Sequence, residues 1–189
     1  RRELRHVYGN AANEVEKSLA SASRILPLIT TAHTPSAANN NYWPEMYTNH
    51  SLFDSENRGS YSDTPAPRVF GNVSPLDPQL FYRINDYADD LLSGEVSGKY
   101  SPLEVAQWLD DYVEAARQSL SVGIQKVQGG EPSADFKRLV SDVLIQMGLG
   151  RFFAAKFRSA VLYRIFEKTG ERHSLELSLD QYRKARDHW

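Results

Sequence analysis

Apolar positions recur at intervals of three and four along most of this chain, the spacing of helices that bury one face. Leu19, Ala22, Ile25, Leu26 and Ile29 predict a first helix from about Asn10 to Thr30. Pro27 sits inside that stripe and predicts a kink or an early stop. Leu4, Val7 and Tyr8 extend the pattern backward, against the interruption of Gly9-Asn10. A second helix is predicted from Asp77-Pro78, an N-cap followed by proline. Its apolar face is Leu80, Phe81, Ile84, Tyr87, Ala88 and Leu91, and Gly94 ends it. Ser101-Pro102-Leu103-Glu104 is a capping box that opens a third helix. Val105, Trp108, Leu109, Tyr112, Val113 and Ala116 form its inner face, and Gly129-Gly130 closes it.

A fourth segment starts near Ser133, with Phe136, Leu139, Val140, Val143, Leu144 and Met147 at helical spacing. Gly148-Leu149-Gly150 follows. Each glycine costs about 1 kcal/mol in a helix interior, which predicts a break there. The next helix is apolar on more than one face (Phe152, Phe153, Ala155, Phe157, Ala160, Val161, Tyr163, Ile165), as a central helix is. Thr169-Gly170 ends it. The last helix, Ser174 to about Trp189, carries Leu175, Leu177, Leu179, Tyr182 and Ala185. The fold expected is all-α: a single domain over 1–189 with five or six helices in a bundle.

Between residues 31 and 76 no helical or strand period is sustained. Six of the nine prolines and six of the nine asparagines lie in or beside this stretch. Loops this long are uncommon in compact domains and are functional or disordered. Disordered linkers are poor in aromatics. This one holds Tyr42, Trp43, Tyr47, Phe53, Tyr61 and Phe70, so an ordered loop pinned to the bundle is expected.

Composition narrows the chemistry. The absence of cysteine excludes thiol nucleophiles, Cys-based zinc and iron–sulfur ligation. A net charge of −2 lacks the basic surplus of a nucleic-acid binder. No apolar run approaches the ~18 residues of a membrane span. The chain opens at Arg1 without a Met, which reads as a piece of a longer protein. No cofactor or metal is implied by any motif.

The densest polar–aromatic run lies in the loop. Asn39, Asn40, Asn41, Tyr42, Trp43, Glu45, Tyr47 and His50 combine amides, a carboxylate and flat rings. Such groups suit a sugar, whose hydroxyls meet the amides and whose C–H face meets a ring. The same residues also suit turn formation and anchoring. His33, Glu45, His50 and Asp54 lack metal-ligand spacing such as H-E-x-x-H. Glu45, Asp54, Asp63 and Asp77 contain a candidate pair of carboxylates for glycoside hydrolysis. Asp77 is more simply an N-cap. Arg151, Lys156, Arg158, Arg164, Arg183, Lys184 and Arg186 alternate with acidic residues, as on a solvated face.

Three segments carry a family resemblance. They are Ser23 to His33 with Pro35 to Tyr47, Gly71 to Pro78, and Tyr163 to Gly170 through Tyr182 to Arg186. Together they resemble the C-terminal helical region of large secreted bacterial proteins related to α-glucuronidase-type glycoside hydrolases. In that family the catalytic carboxylates lie on a (β/α)-barrel, so the resemblance implies an accessory domain and transfers no catalytic residue. It implies a periplasmic or extracellular parent, and as partners its own catalytic domain, carbohydrate, or a second copy. Two alternatives stand beside it: a helical-hairpin interaction module of tetratricopeptide type, and a stand-alone hydrolase using the loop carboxylates.

Overall fold

The computed structural model describes residues 2–33, 51–53, 69–95, 97–127 and 132–189. Those residues form an all-α bundle. Its helices are α1 (Arg2–Tyr8), α2 (Ala12–Ala22), α3 (Ile25–Ala32), α4 (Ile84–Ser93), α5 (Pro102–Val127), α6 (Ala134–Thr169) and α7 (Arg172–His188). None of the described helices is long and apolar enough to cross a membrane.

The predicted first helix and its backward extension are divided twice, the first time at the Gly9-Asn10 interruption that the sequence marks. Gly9 takes φ +50° and opens a short 3-10 turn, Gly9–Ala11, between α1 and α2. The second division falls at Ser23-Arg24, ahead of Pro27 rather than at it. A proline ring clashes with the carbonyl four residues back, here that of Ser23, so the chain breaks there. Pro27 then occupies the first turn of α3, where a missing N–H is tolerated.

Asp77 is a cap, though not of α4. Its Oδ1 accepts from the backbone N–H groups of Gln79 and Leu80, at 3.0 and 3.1 Å. That closes a single turn, and α4 starts only at Ile84. In between, Tyr82 N–H donates to the Tyr100 carbonyl and Tyr100 N–H to that of Leu80. This short bridge draws the backbone out of the helix. Gly94 ends α4 at φ +75°, as predicted.

The capping box of α5 forms in both directions. Ser101 Oγ accepts from Glu104 N–H at 3.1 Å, and the Glu104 carboxylate accepts from Ser101 N–H at 2.8 Å. Val105, Leu109, Val113 and Ala116 are buried, and Trp108 and Tyr112 pack at the core's margin. Ser133 caps α6 by accepting from Phe136 N–H. The predicted closure of α5 at Gly129-Gly130 lies outside the described residues.

Two expectations for the C-terminal helices are corrected. First, α6 runs unbroken through Gly148-Leu149-Gly150 for 36 residues. These glycines serve close approach. A β-carbon on Gly150 would lie 2.6 Å from Val113 and 3.3 Å from Ile25, and one on Gly148 would lie 3.2 Å from the His188 carbonyl oxygen. Packing on α5, α3 and the end of α7 outweighs the local propensity cost.

Second, α7 does not face the core with its leucines. Leu177 and Leu179 are exposed and Leu175 is half-buried, whereas Ser174 and Ser178 are buried; of the predicted face only Ala185 is fully inside. Small residues let α7 approach α6 closely. The contact is sealed by reciprocal bonds: Ser159 Oγ donates to the Ser178 carbonyl and Ser178 Oγ to that of Ser159, both at 2.8 Å. Leu144, placed on the inner stripe of α6 by its spacing, is likewise exposed.

Candidate functional site

The eight residues singled out for sugar contact, Asn39, Asn40, Asn41, Tyr42, Trp43, Glu45, Tyr47 and His50, all lie outside the described residues. So do Asp54 and Asp63. Of the four candidate metal ligands only His33 is described, and it belongs to the core. Its ring lies 4.0 Å from that of Phe70 and 5.4 Å from that of Phe157. Its Nε2–H donates to the Phe70 carbonyl at 2.9 Å, since a carbonyl oxygen can only accept. Among the described residues no group of three His, Asp or Glu is placed to hold a metal ion.

This corner shows how the described end of the long loop meets the bundle. Phe70 is fully buried on Phe153 and Phe157 of α6. Its N–H donates to Ser51, and Leu76 N–H donates to the Thr31 carbonyl at the end of α3. Burying a phenylalanine contributes about 1.5–3 kcal/mol. The anchoring role predicted for the loop aromatics therefore holds at Phe70, while Phe53 remains half exposed against Tyr163.

Lys156 corrects the reading of the basic residues as a solvated face. It is fully buried, with Nζ 4.5 Å from the centroid of Phe70 and 5.3 Å from that of Phe152. Burial pushes its ammonium down to about 7. The cause is the position of α6, which is enclosed on several sides, so a residue at any angle on its middle turns is covered. Four of the other basic residues meet acidic partners nearer the surface. Arg158 pairs with Asp110 at 2.7 Å, and Arg164 grips Asp89 of α4 with two bonds of 2.8 and 2.9 Å. Lys184 and Arg186 pair with Asp180 and Asp187 on α7.

The described surface carries one feature that the periodicity does not announce. Three adjoining hollows, of about 640, 610 and 210 Å³, form a trough across the outer face of α6. Leu26 and Gln146 join the first to the second, and Trp189 joins the second to the third. Ile145 is 60% exposed, Leu144 52% and Trp189 66%. Trp189 rests on Phe152, with ring centroids 5.6 Å apart. Glu16 and Asp142 stand at the α2 end of the trough, and Arg186 and His188 towards its α7 end. The amide oxygen of Gln146 is buried at the junction with no hydrogen-bond partner among the described residues. The adjacent pair Leu144-Ile145 is the sequence signal. Two neighbouring aliphatics turn 100° apart on a helix, so both cannot share a core face centred on Val143 and Met147.

Fold and surface together define an all-α bundle with an apolar trough on its described surface. No family model, curated protein or solved structure matches the chain.

Proposed function

We propose that the chain is a non-catalytic helical docking unit of a carbohydrate-active protein. The observation that supports docking is the trough itself. It sets Leu144, Ile145 and Trp189 together in water, and contiguous exposed apolar surface of this kind marks interaction sites. The carbohydrate part rests on the sequence resemblance to the helical region of α-glucuronidase-like proteins. In this reading the described bundle packs against a neighbouring body, and Asn39–Asn41, Tyr42, Trp43, Glu45, Tyr47 and His50 are the candidates for the rim of a substrate cleft.

Two measurements test the two parts. The chain has no cysteine, so single-cysteine variants report one position each. Ile145→Cys should react with a maleimide quickly in dilute purified protein and slowly in whole cells of the producing organism. Leu179→Cys should react alike in both. Equal reactivity at 145 in the two settings would remove the docking reading. For the sugar part, uronic-acid-bearing oligosaccharides should bind without turnover, and Trp43→Ala should abolish binding. Turnover by the chain would favour the hydrolase alternative, and neither binding nor turnover would remove the carbohydrate reading.

A further inference from the structure

We propose that the hollow of about 640 Å³ between α2, α3 and α6 is a small-molecule site. Its ligand is a neutral aliphatic molecule with a hydrogen-bond donor at one end, as in a long-chain alcohol. The site goes beyond the docking reading, which rests on the exposure of Leu144, Ile145 and Trp189.

The shape comes from the break between α2 and α3. Ala20, Ala22 and Ser23 stand at that break, and their short side chains leave the space beside α6 unfilled. Leu4, Leu19, Leu26 and Val143 supply the walls. A volume of this size, with apolar walls and a few polar groups, is that of a small-ligand pocket. Among the described residues no aromatic ring lines it. A flat sugar or base therefore finds no surface to stack on, and an alkyl chain finds branched aliphatic contacts.

The polar chemistry comes from Gln146. Its amide oxygen is buried without a partner, and the residue lines both this hollow and the next one. Asp142 lies one turn earlier on the same face of α6, so the amide N–H2 belongs on its side, as in Gln–Asp pairs of helices. The oxygen is the end left over, and an oxygen can only accept. A buried acceptor without a partner is unusual in a folded protein and calls for a donor. No Lys, Arg or His among the described residues lines the hollow to supply one. The rim sets no demand for charge: Glu16 is already engaged, and Arg138 stands with Asp142 in the adjoining hollow. A neutral O–H or N–H head on an alkyl chain satisfies walls and acceptor together. A fatty-acid anion has no donor and would bring a second carboxylate towards Asp142.

The test uses the full chain with labelled Leu and Val methyl groups, titrated with 1-octanol, octyl methyl ether and octanoate, with circular dichroism as the check on folding. Octanol should produce saturable shifts centred on Leu19, Leu26 and Val143. The ether, which keeps the chain but lacks the donor, should bind about tenfold more weakly, and octanoate more weakly still. Gln146→Met should weaken octanol about tenfold and leave the ether unchanged. Ala20→Trp, at an exposed position on the rim, should block both. Absence of saturable shifts, shifts centred elsewhere, or equal affinity for alcohol and ether overturns the inference. So does a Gln146→Met variant that weakens both alike, or an Ala20→Trp variant that weakens neither. Protection of position 145 in cells is measured separately, so failure of this site and failure of the docking reading are told apart.

Discussion

Gly150 of α6 lies so close to Val113 of α5 that a β-carbon at position 150 would stand 2.6 Å from Val113 Cγ2. Ile25 of α3 closes the same spot at 3.3 Å. The glycine that weakens α6 as an isolated helix is what lets three helices meet.

Gly150→Ala should therefore lower stability by about 1–3 kcal/mol, the usual cost of overpacking a full core. Gly148→Ala should behave in the opposite way. Its new methyl would meet only the His188 carbonyl, at the terminal turn of α7, which can shift by the few tenths of an ångström required. The gain in helix propensity, up to about 1 kcal/mol, should then dominate. Urea denaturation of the two variants separates them by sign.

Lys156 predicts a pH dependence. Its folded value of about 7 lies below the ordinary 10.5, so between these limits the unfolded chain binds more protons. Stability should rise with pH across that window, by at most about 1.4 kcal/mol per pH unit, and be flat for this group below it. Lys156→Met should remove that slope. Thermal midpoints of both proteins at a series of pH values check this. Parallel curves would show that Lys156 carries no such linkage.

Asp89 and Arg164 hold α4 to α6. The hydrogen-bonded guanidinium of Arg164, aided by Lys168, keeps the Asp89 carboxyl below its usual value. Stability from this pair is present above the ordinary carboxylate range and is lost as pH falls through the folded value. Both side chains are partly exposed, which limits the effect. Asp89→Asn should cost about 0.5–1 kcal/mol at neutral pH. The difference from wild type should shrink in high salt and at low pH.

Gln146 buries an amide oxygen without a partner among the described residues. Gln146→Met keeps the volume and removes the unsatisfied group, so a gain of about 1 kcal/mol is expected. Chemical denaturation of dilute protein measures it. A loss instead would show that the amide makes a bond in solution.

Much of this fold was legible in the sequence because its signals are local. The capping box at Ser101-Glu104, the cap at Ser133 and the stop at Gly94 each depend on a few neighbouring residues, and each is where the spacing placed it. Asp77 shows the limit. Its cap forms, but the bridge between Phe81 and Tyr100 draws the next residues away, and no local pattern contains that pairing.

The sequence by itself determined the helical class, the starts of the long helices and the anchoring value of a loop aromatic such as Phe70. Those follow from backbone propensity and periodic burial, which act within a few turns. Only the tertiary structure decided that α6 stays whole across two glycines and that α7 packs through serines rather than leucines. It also buried Lys156, and it left Ile145 and Trp189 in water beside a charged rim. Each of these depends on which helix arrives opposite, and at what distance. The same glycine or lysine is unfavourable or favourable according to a neighbour more than thirty residues away along the chain, and close packing settles the balance.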